Sequence, residues 1–191
     1  MKSSRNVLLL TTLLLLSVLS ASAQTVPSDA KQFSKDGLSF NYPTGWAFND
    51  TSNADAQRLQ FGRTDSEVQI SIFVFRTLVT SPERIAEAKK VLVDKYVAST
   101  KKQFEEVDPH TQSSPVTSTI GTVASEGVKI RASLDGVPGS AEIHWAVVGQ
   151  RLVVLTFLGP DKALIKAMPA WDLMRTTLKT EEAQPAASPK P

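Results

Sequence analysis

Between residues 128 and 158 the side chains alternate in a way that few folds can satisfy. Val128, Ile130, Ala132 and Leu134 fall on one parity, with Lys129, Arg131 and Ser133 on the other. In the next run Ile143, Trp145 and Val147 share a face, and Glu142, His144, Ala146 and Val148 oppose it. Side chains of a strand alternate strictly between faces, so a one-residue slip in pairing would invert the whole apolar set. The turn at Asp135–Gly139 must therefore join antiparallel strands with opposite-parity partners. A four-residue loop meets that condition and sets Arg131 opposite Glu142. Gly149-Gln150 reads as a two-residue type II′ loop, with Gly first, and sets Trp145 against Val154 and His144 against Leu155. The run Leu152–Leu158 is apolar on both parities, which predicts a strand covered on both faces.

Earlier in the chain Leu38, Phe40 and Tyr42 alternate with Ser39 and Asn41 and stop at Pro43-Thr44-Gly45, a strand closed by a type I turn. Arg58–Arg63 forms a second short strand. Val68, Ile70, Ile72 and Val74 make one wholly aliphatic parity of a third, with Phe73 and Phe75 opposite. Thr80 or Ser81 caps a helix whose first turn holds Pro82 and Glu83. Its stripe is Ile85, Ala88, Leu92 and Tyr96, and it extends to about Phe104. Asp108–Thr117, rich in Pro and Ser, reads as loop. After Gly159-Pro160-Asp161 a second helical stripe runs through Leu164, Met168, Trp171, Met174 and Leu178. Pro169 interrupts it and predicts a kink or two short helices. Two helices and one antiparallel sheet give an α+β fold, an α/β/α sandwich with helices on both faces of the sheet.

The ends read differently. Lys2 and Arg5 precede an apolar run from Val7 to Leu19, followed by the small-x-small site Ala21-Ser22-Ala23. This predicts a signal peptide over 1–23, too short to span a bilayer, and an exported product, periplasmic or extracellular, with no lasting membrane anchor. Residues 24–32 read as a flexible arm, and 33–180 as a single domain. Residues 181–191, with three prolines, three alanines and no large apolar side chain, read as a disordered tail.

Charge bears on partners. Of the 21 Lys and Arg, two lie in the leader, which leaves 19 against 19 Asp and Glu. A neutral chain without a basic stripe excludes nucleic acid as a partner. The absence of cysteine excludes disulfides, thiolate metal sites and thiol nucleophiles. Asp50, Asp55 and Asp65 lack the ligand spacing of a calcium loop, and His110 beside Asp108 is too little for a metal site. No cofactor is expected. His144 beside Glu142 is the one candidate general base, yet an i, i+2 pair on a strand lies about 7 Å apart at the backbone. Gly121 and Gly127 read as turn residues.

The segment Asp36-Gly37-Leu38-Ser39-Phe40-Asn41-Tyr42-Pro43-Thr44-Gly45-Trp46 resembles the opening strand and turn of the PsbP/Mog-like superfamily. The order of elements over residues 33–179 is similar too. That resemblance implies an antiparallel α/β/α sandwich and a mostly non-enzymatic role; it carries no ligand-binding residue over to this chain. The reading at this point is an exported, non-catalytic binding or scaffold domain that engages another envelope or secreted protein. Its candidate surface is Trp46, Phe48, Lys129, Arg131, Glu142 and His144. The alternative is a carrier of a small apolar ligand in a sheet–helix pocket near Trp46, Phe48, Phe73 and Phe75, and a hydrolase using His144 ranks below both.

Overall fold

A computed structural model describes residues 29–181. The predicted signal peptide, most of the arm and nearly all of the tail lie outside these residues. The strands are β1 (Ala30–Lys35), β2 (Leu38–Pro43), β3 (Ala47–Asp50), β4 (Ala56–Arg63), β5 (Ser66–Leu78), β6 (Gln112–Ile120), β7 (Val123–Leu134), β8 (Val137–Val148), β9 (Arg151–Pro160) and β10 (Lys179–Thr180). Helices α1 (Pro82–Ala88) and α2 (Asp94–Val107) flank a π-helical turn at Lys89–Val93, and α3 spans Asp161–Thr177.

Seven strands form one sheet in the order β3-β4-β5-β9-β8-β7-β6, and a small sheet has the order β1-β2-β10. Every pairing between these strands is antiparallel. The α1–α2 layer covers one face of the large sheet; α3 and the small sheet cover the other, so the fold is α+β with helices on both faces. β9 shows why its sequence is apolar throughout. Val153, Leu155 and Phe157 enter the core beneath α3, whereas Leu152 and Val154 enter the core beneath α2. Val68, Ile70, Ile72 and Val74 are all buried on the α3 side, as their shared parity requires.

Helix α1 starts where the sequence places it, with Ser81 Oγ accepting the Arg84 N–H and Pro82 in the first turn. The π turn then adds a residue to the helical frame and advances the apolar face. Val93 becomes the buried residue of this stretch, and Ile85 is exposed. In α3, Met168 is exposed while Ala167 and Ala170 join Leu164, Trp171 and Met174 in facing the sheet. Small residues there let the helix approach closely. α3 is one helix rather than two, because Pro169 lies on its exposed side, where water can bind the carbonyl left without a donor.

Five expectations are corrected. The arm ends earlier than residue 32, because Ala30–Gln32 already pair with Asn41–Pro43. Residues 112–117 belong to edge strand β6, paired with β7 along its full length; an edge position tolerates Pro115, whose missing donor would break a central ladder. The β7–β8 loop has two residues, Asp135 and Gly136, both at positive φ (51° and 79°), a type I′ turn. Lys129 therefore pairs with Glu142, and Arg131 with Ser140. The inferred parity stands, but the register moves by two. The Gly149-Gln150 loop sets Trp145 opposite Val154 and His144 opposite Leu155, with both loop residues at positive φ (52° and 65°), so it too is type I′ rather than II′. Finally, the turn at Pro43–Trp46 places Gly45 at φ +88°, the third position of a type II turn.

Candidate functional site

At the end of the large sheet where β9 runs into α3, a cleft of about 1220 Å³ opens to solvent. Its walls are the Pro43–Trp46 turn, the β4–β5 turn, the β7–β8 hairpin tip and the first half of α3. Trp46 is 6 % exposed and belongs to the core, so it forms a fixed floor. Val137 on the hairpin tip is exposed at the rim. Ile165 and Met168 are exposed on α3, next to the cleft residues Lys162, Lys166 and Pro169 at helical spacing. The charged lining balances: Arg63, Lys162 and Lys166 against Asp65, Glu67 and Asp161. Arg63 grips Asp65 through two hydrogen bonds of 2.8 and 2.6 Å, and Asp161 Oδ1 accepts the Ser140 hydroxyl at 2.8 Å.

Phe48 does not line this cleft. It stands on edge strand β3, 40 % exposed, in edge contact with Phe33 and Tyr42 and tilted against Phe61. Phe73 and Phe75 pack on the α2 face and Trp46 on the α3 face, so the imagined pocket of Trp46, Phe48, Phe73 and Phe75 is not assembled.

Lys129, Glu142 and His144 come together on the α3 face of β7 and β8. Lys129 Nζ donates to Glu142 Oε1 at 2.6 Å, and His144 Nε2 lies 3.6 Å from Glu142 Oε2, longer than a hydrogen bond. The flexible glutamate closes the gap that strand geometry alone would leave between residues i and i+2. The His144 imidazole, outweighing the opposing effect of burial, and the Lys129 ammonium hold the Glu142 carboxyl down at about 2. His144 is 3 % exposed; its ring sits 5.9 Å from that of Trp171, and its Nδ1 is buried without a hydrogen-bond partner. Trp171 in turn stacks on Phe157, rings 5.1 Å apart and nearly parallel. Arg131 is exposed and stands apart from this cluster.

One buried polar group lies outside the residues that the sequence singles out. Arg151, 4 % exposed, donates from Nε to Phe75 O, from Nη1 to Asp36 O and from Nη2 to Gln57 Oε1, at 3.2, 3.1 and 2.6 Å. Burial pushes its guanidinium below the ordinary value. Gln57, equally buried, donates to Lys35 O, and Arg76 pairs with Asp36 at 2.9 Å. This network pins the β1–β2 turn of the small sheet onto the large one. A lone arginine heading an otherwise apolar strand was the available signal. Two of the three aspartates considered for calcium are engaged elsewhere: Asp50 pairs with Lys35 and Asp65 with Arg63.

No family model matches this chain, and no curated protein matches it by sequence. Solved structures do. A protein of Bacteroides thetaiotaomicron VPI-5482 is similar at 15 % identity and a TM-score of 0.51, over 80 % of this chain and 49 % of that one. This chain thus spans about half of that protein's length. The solution structure of cyanobacterial PsbP (CyanoP) from Synechocystis sp. PCC 6803 matches at 12 % identity and 0.51, over 85 % and 98 % of the two chains. LpqN of Mycobacterium tuberculosis, described as involved in cell envelope biogenesis, reaches 0.44 at 11 % identity over 80 % and 90 %, too low to carry an argument. The CyanoP match establishes a PsbP-like fold. Among the described residues no helix is long and apolar enough to cross a membrane.

Proposed function

We propose that this chain is an exported, non-catalytic binding domain that holds an uncharged segment of another envelope or secreted protein in the cleft above Trp46. The observation that carries this reading is the cleft itself: a rigid aromatic floor, balanced charge, and exposed Val137, Ile165 and Met168 on and beside its rim. Exposed apolar residues grouped beside a concavity are what a protein-binding surface presents. His144 supports a hydrolase poorly, since a general base must reach the proton it removes and this ring is covered by Trp171.

Site-specific photo-crosslinking tests the proposal. Benzoylphenylalanine placed at Val137 or Ile165 of the exported protein is expected to capture one discrete partner. The same group at Val107, exposed on α2, is the control. Identical adduct patterns from cleft and control positions, or none from the cleft, would refute it.

A further inference from the structure

We propose that the α2 face of the large sheet, where β3, β4 and β5 run out beyond α2, binds a neutral carbohydrate chain. The pairing register carries the inference. Asn49 lies opposite Gln60, Gln60 opposite Ser71 and Ser71 opposite Thr156, so one row of uncharged hydrogen-bonding side chains crosses four neighbouring strands. Directly paired residues share a face, and Phe73, two residues from Ser71, sets this row on the α2 side. The inner half of the row is buried and held in place. The Tyr96 and Thr156 hydroxyls lie 3.0 Å apart, and Gln69 Nε2 donates to Ser71 Oγ at 3.1 Å. The outer half, Asn49 and Gln60, is exposed.

Gly62 makes a hollow beside the row. It pairs with Gln69, its φ is not positive, and a Cβ there would meet nothing closer than Val68 O at 4.0 Å. Neither backbone nor packing requires glycine at this position, and the register shift that follows at Arg63 calls for it only at positive φ. A glycine inside a strand weakens it, and one use that remains is the close approach of a ligand to the backbone. The hollow, about 360 Å³ and open to solvent, is lined by Asn49, Gln60, Gly62, Ser66, Glu67 and Gln69. A primary amide sets a donor beside an acceptor, which matches a sugar hydroxyl that both gives and takes a hydrogen bond. Three amides without a charge among them favour a ligand that brings none, and the charged groups at the margins, Arg58 and Glu67, are of opposite sign. Phe73 and Tyr96, both half-buried with rings 5.5 Å apart, form an apolar ledge for the C–H face of a sugar ring. An extended peptide would instead pair along a sheet edge, and this hollow lies on a face.

Titration of the isotope-labelled exported protein with chitohexaose, cellohexaose and maltohexaose, followed by amide NMR, tests the proposal. Hexagalacturonic acid is the charged counterpart. At least one neutral hexasaccharide is expected to shift the side-chain amide signals of Gln60 and Gln69 together with the Gly62 N–H. Gly62→Val fills the hollow at a position with room for a side chain. It is expected to weaken binding about tenfold, the scale of one or two lost hydrogen bonds, with an unfolding midpoint no lower than before. Gln69→Ala is expected to weaken binding several-fold. No shift at these amides from any neutral sugar, tighter binding of the charged acid, or unchanged affinity in both variants would overturn the proposal. So would a response of the same amides to an uncharged peptide of Ser and Asn but to no sugar. The hollow shares Ser66 and Glu67 with the cleft but opens on the other face of the sheet. Crosslinking from Val137 is therefore expected to be the same in Gly62→Val, and loss of sugar binding removes this inference alone.

Discussion

Gly127 lies directly across from His144 on the β7–β8 ladder, and the imidazole fills the space that any other residue's side chain would need. A Cβ at Gly127 would stand 2.8 Å from His144 Nδ1, 2.6 Å from Ile143 O and 3.0 Å from Val116 Cγ2. Gly127 is thus a mid-strand packing position, not the turn residue its type suggests.

Gly127→Ala is therefore expected to destabilise the fold by about 2 kcal/mol, the usual scale of overpacking a tight site. Two of the three close contacts cannot yield without moving backbone or a buried ring. Urea unfolding followed by tryptophan fluorescence measures the loss, and pairing Gly127→Ala with His144→Ala is expected to recover less than all of it, because the Ile143 carbonyl remains in the way.

Glu142 links stability to acidity. Its carboxyl is held at about 2 in the folded protein, against about 4.3 in an unfolded chain. The charged form is the one that folding favours, so the contribution is complete above about pH 5 and is lost as pH falls through 2. Glu142→Gln is expected to cost about 2 kcal/mol at pH 7 and close to nothing at pH 2. Thermal unfolding of both proteins across that range checks it; a constant difference would contradict the assignment.

Arg151 holds three acceptors on three different segments, two of them backbone carbonyls. Arg151→Met is expected to cost about 3 kcal/mol, since it leaves the buried Gln57 side-chain carbonyl and two main-chain carbonyls short of a donor. Amide exchange resolved by mass spectrometry is expected to speed up most at Asp36–Leu38, where the turn loses its anchor. Arg151→Lys, with one cationic head in place of a planar fork, recovers only part of the stability.

Trp171 joins α3 to the sheet through its stack on Phe157 and its contact with His144. Trp171→Ala is expected to cost about 4 kcal/mol, while Trp171→Phe, which keeps an aromatic face, costs less than half of that. Chemical denaturation of the two variants separates stacking from simple volume.

Much of the sheet was readable in advance because strand parity is a local property. Val153 and Leu155 had to face away from Leu152 and Val154 whatever surrounded them, and the two-residue loop at Gly149-Gln150 fixed its own register. The β7–β8 register differs by two from the expectation because Asp135-Gly136 is itself a complete type I′ loop, shorter than the four-residue turn that parity also permits. Strand β6 was missed for a different reason. Its Ser, Thr and Pro residues carry little apolar pattern, and it is a strand because β7 offers it an edge.

By itself, then, the order of residues determined which side chains share a face, where α1 begins at Ser81, and that the chain builds an antiparallel α+β domain. These follow from bond geometry and hydrogen-bonding needs within a few neighbouring residues. Only the tertiary structure decided that Trp46 becomes the floor of an open cleft, that Glu142 reaches both Lys129 and His144, and that Arg151 joins the two sheets. Each of those depends on segments distant in the chain meeting at one place, as Lys129 meets Glu142 and Asp36 meets Arg151, and that convergence is set by packing rather than by local preference.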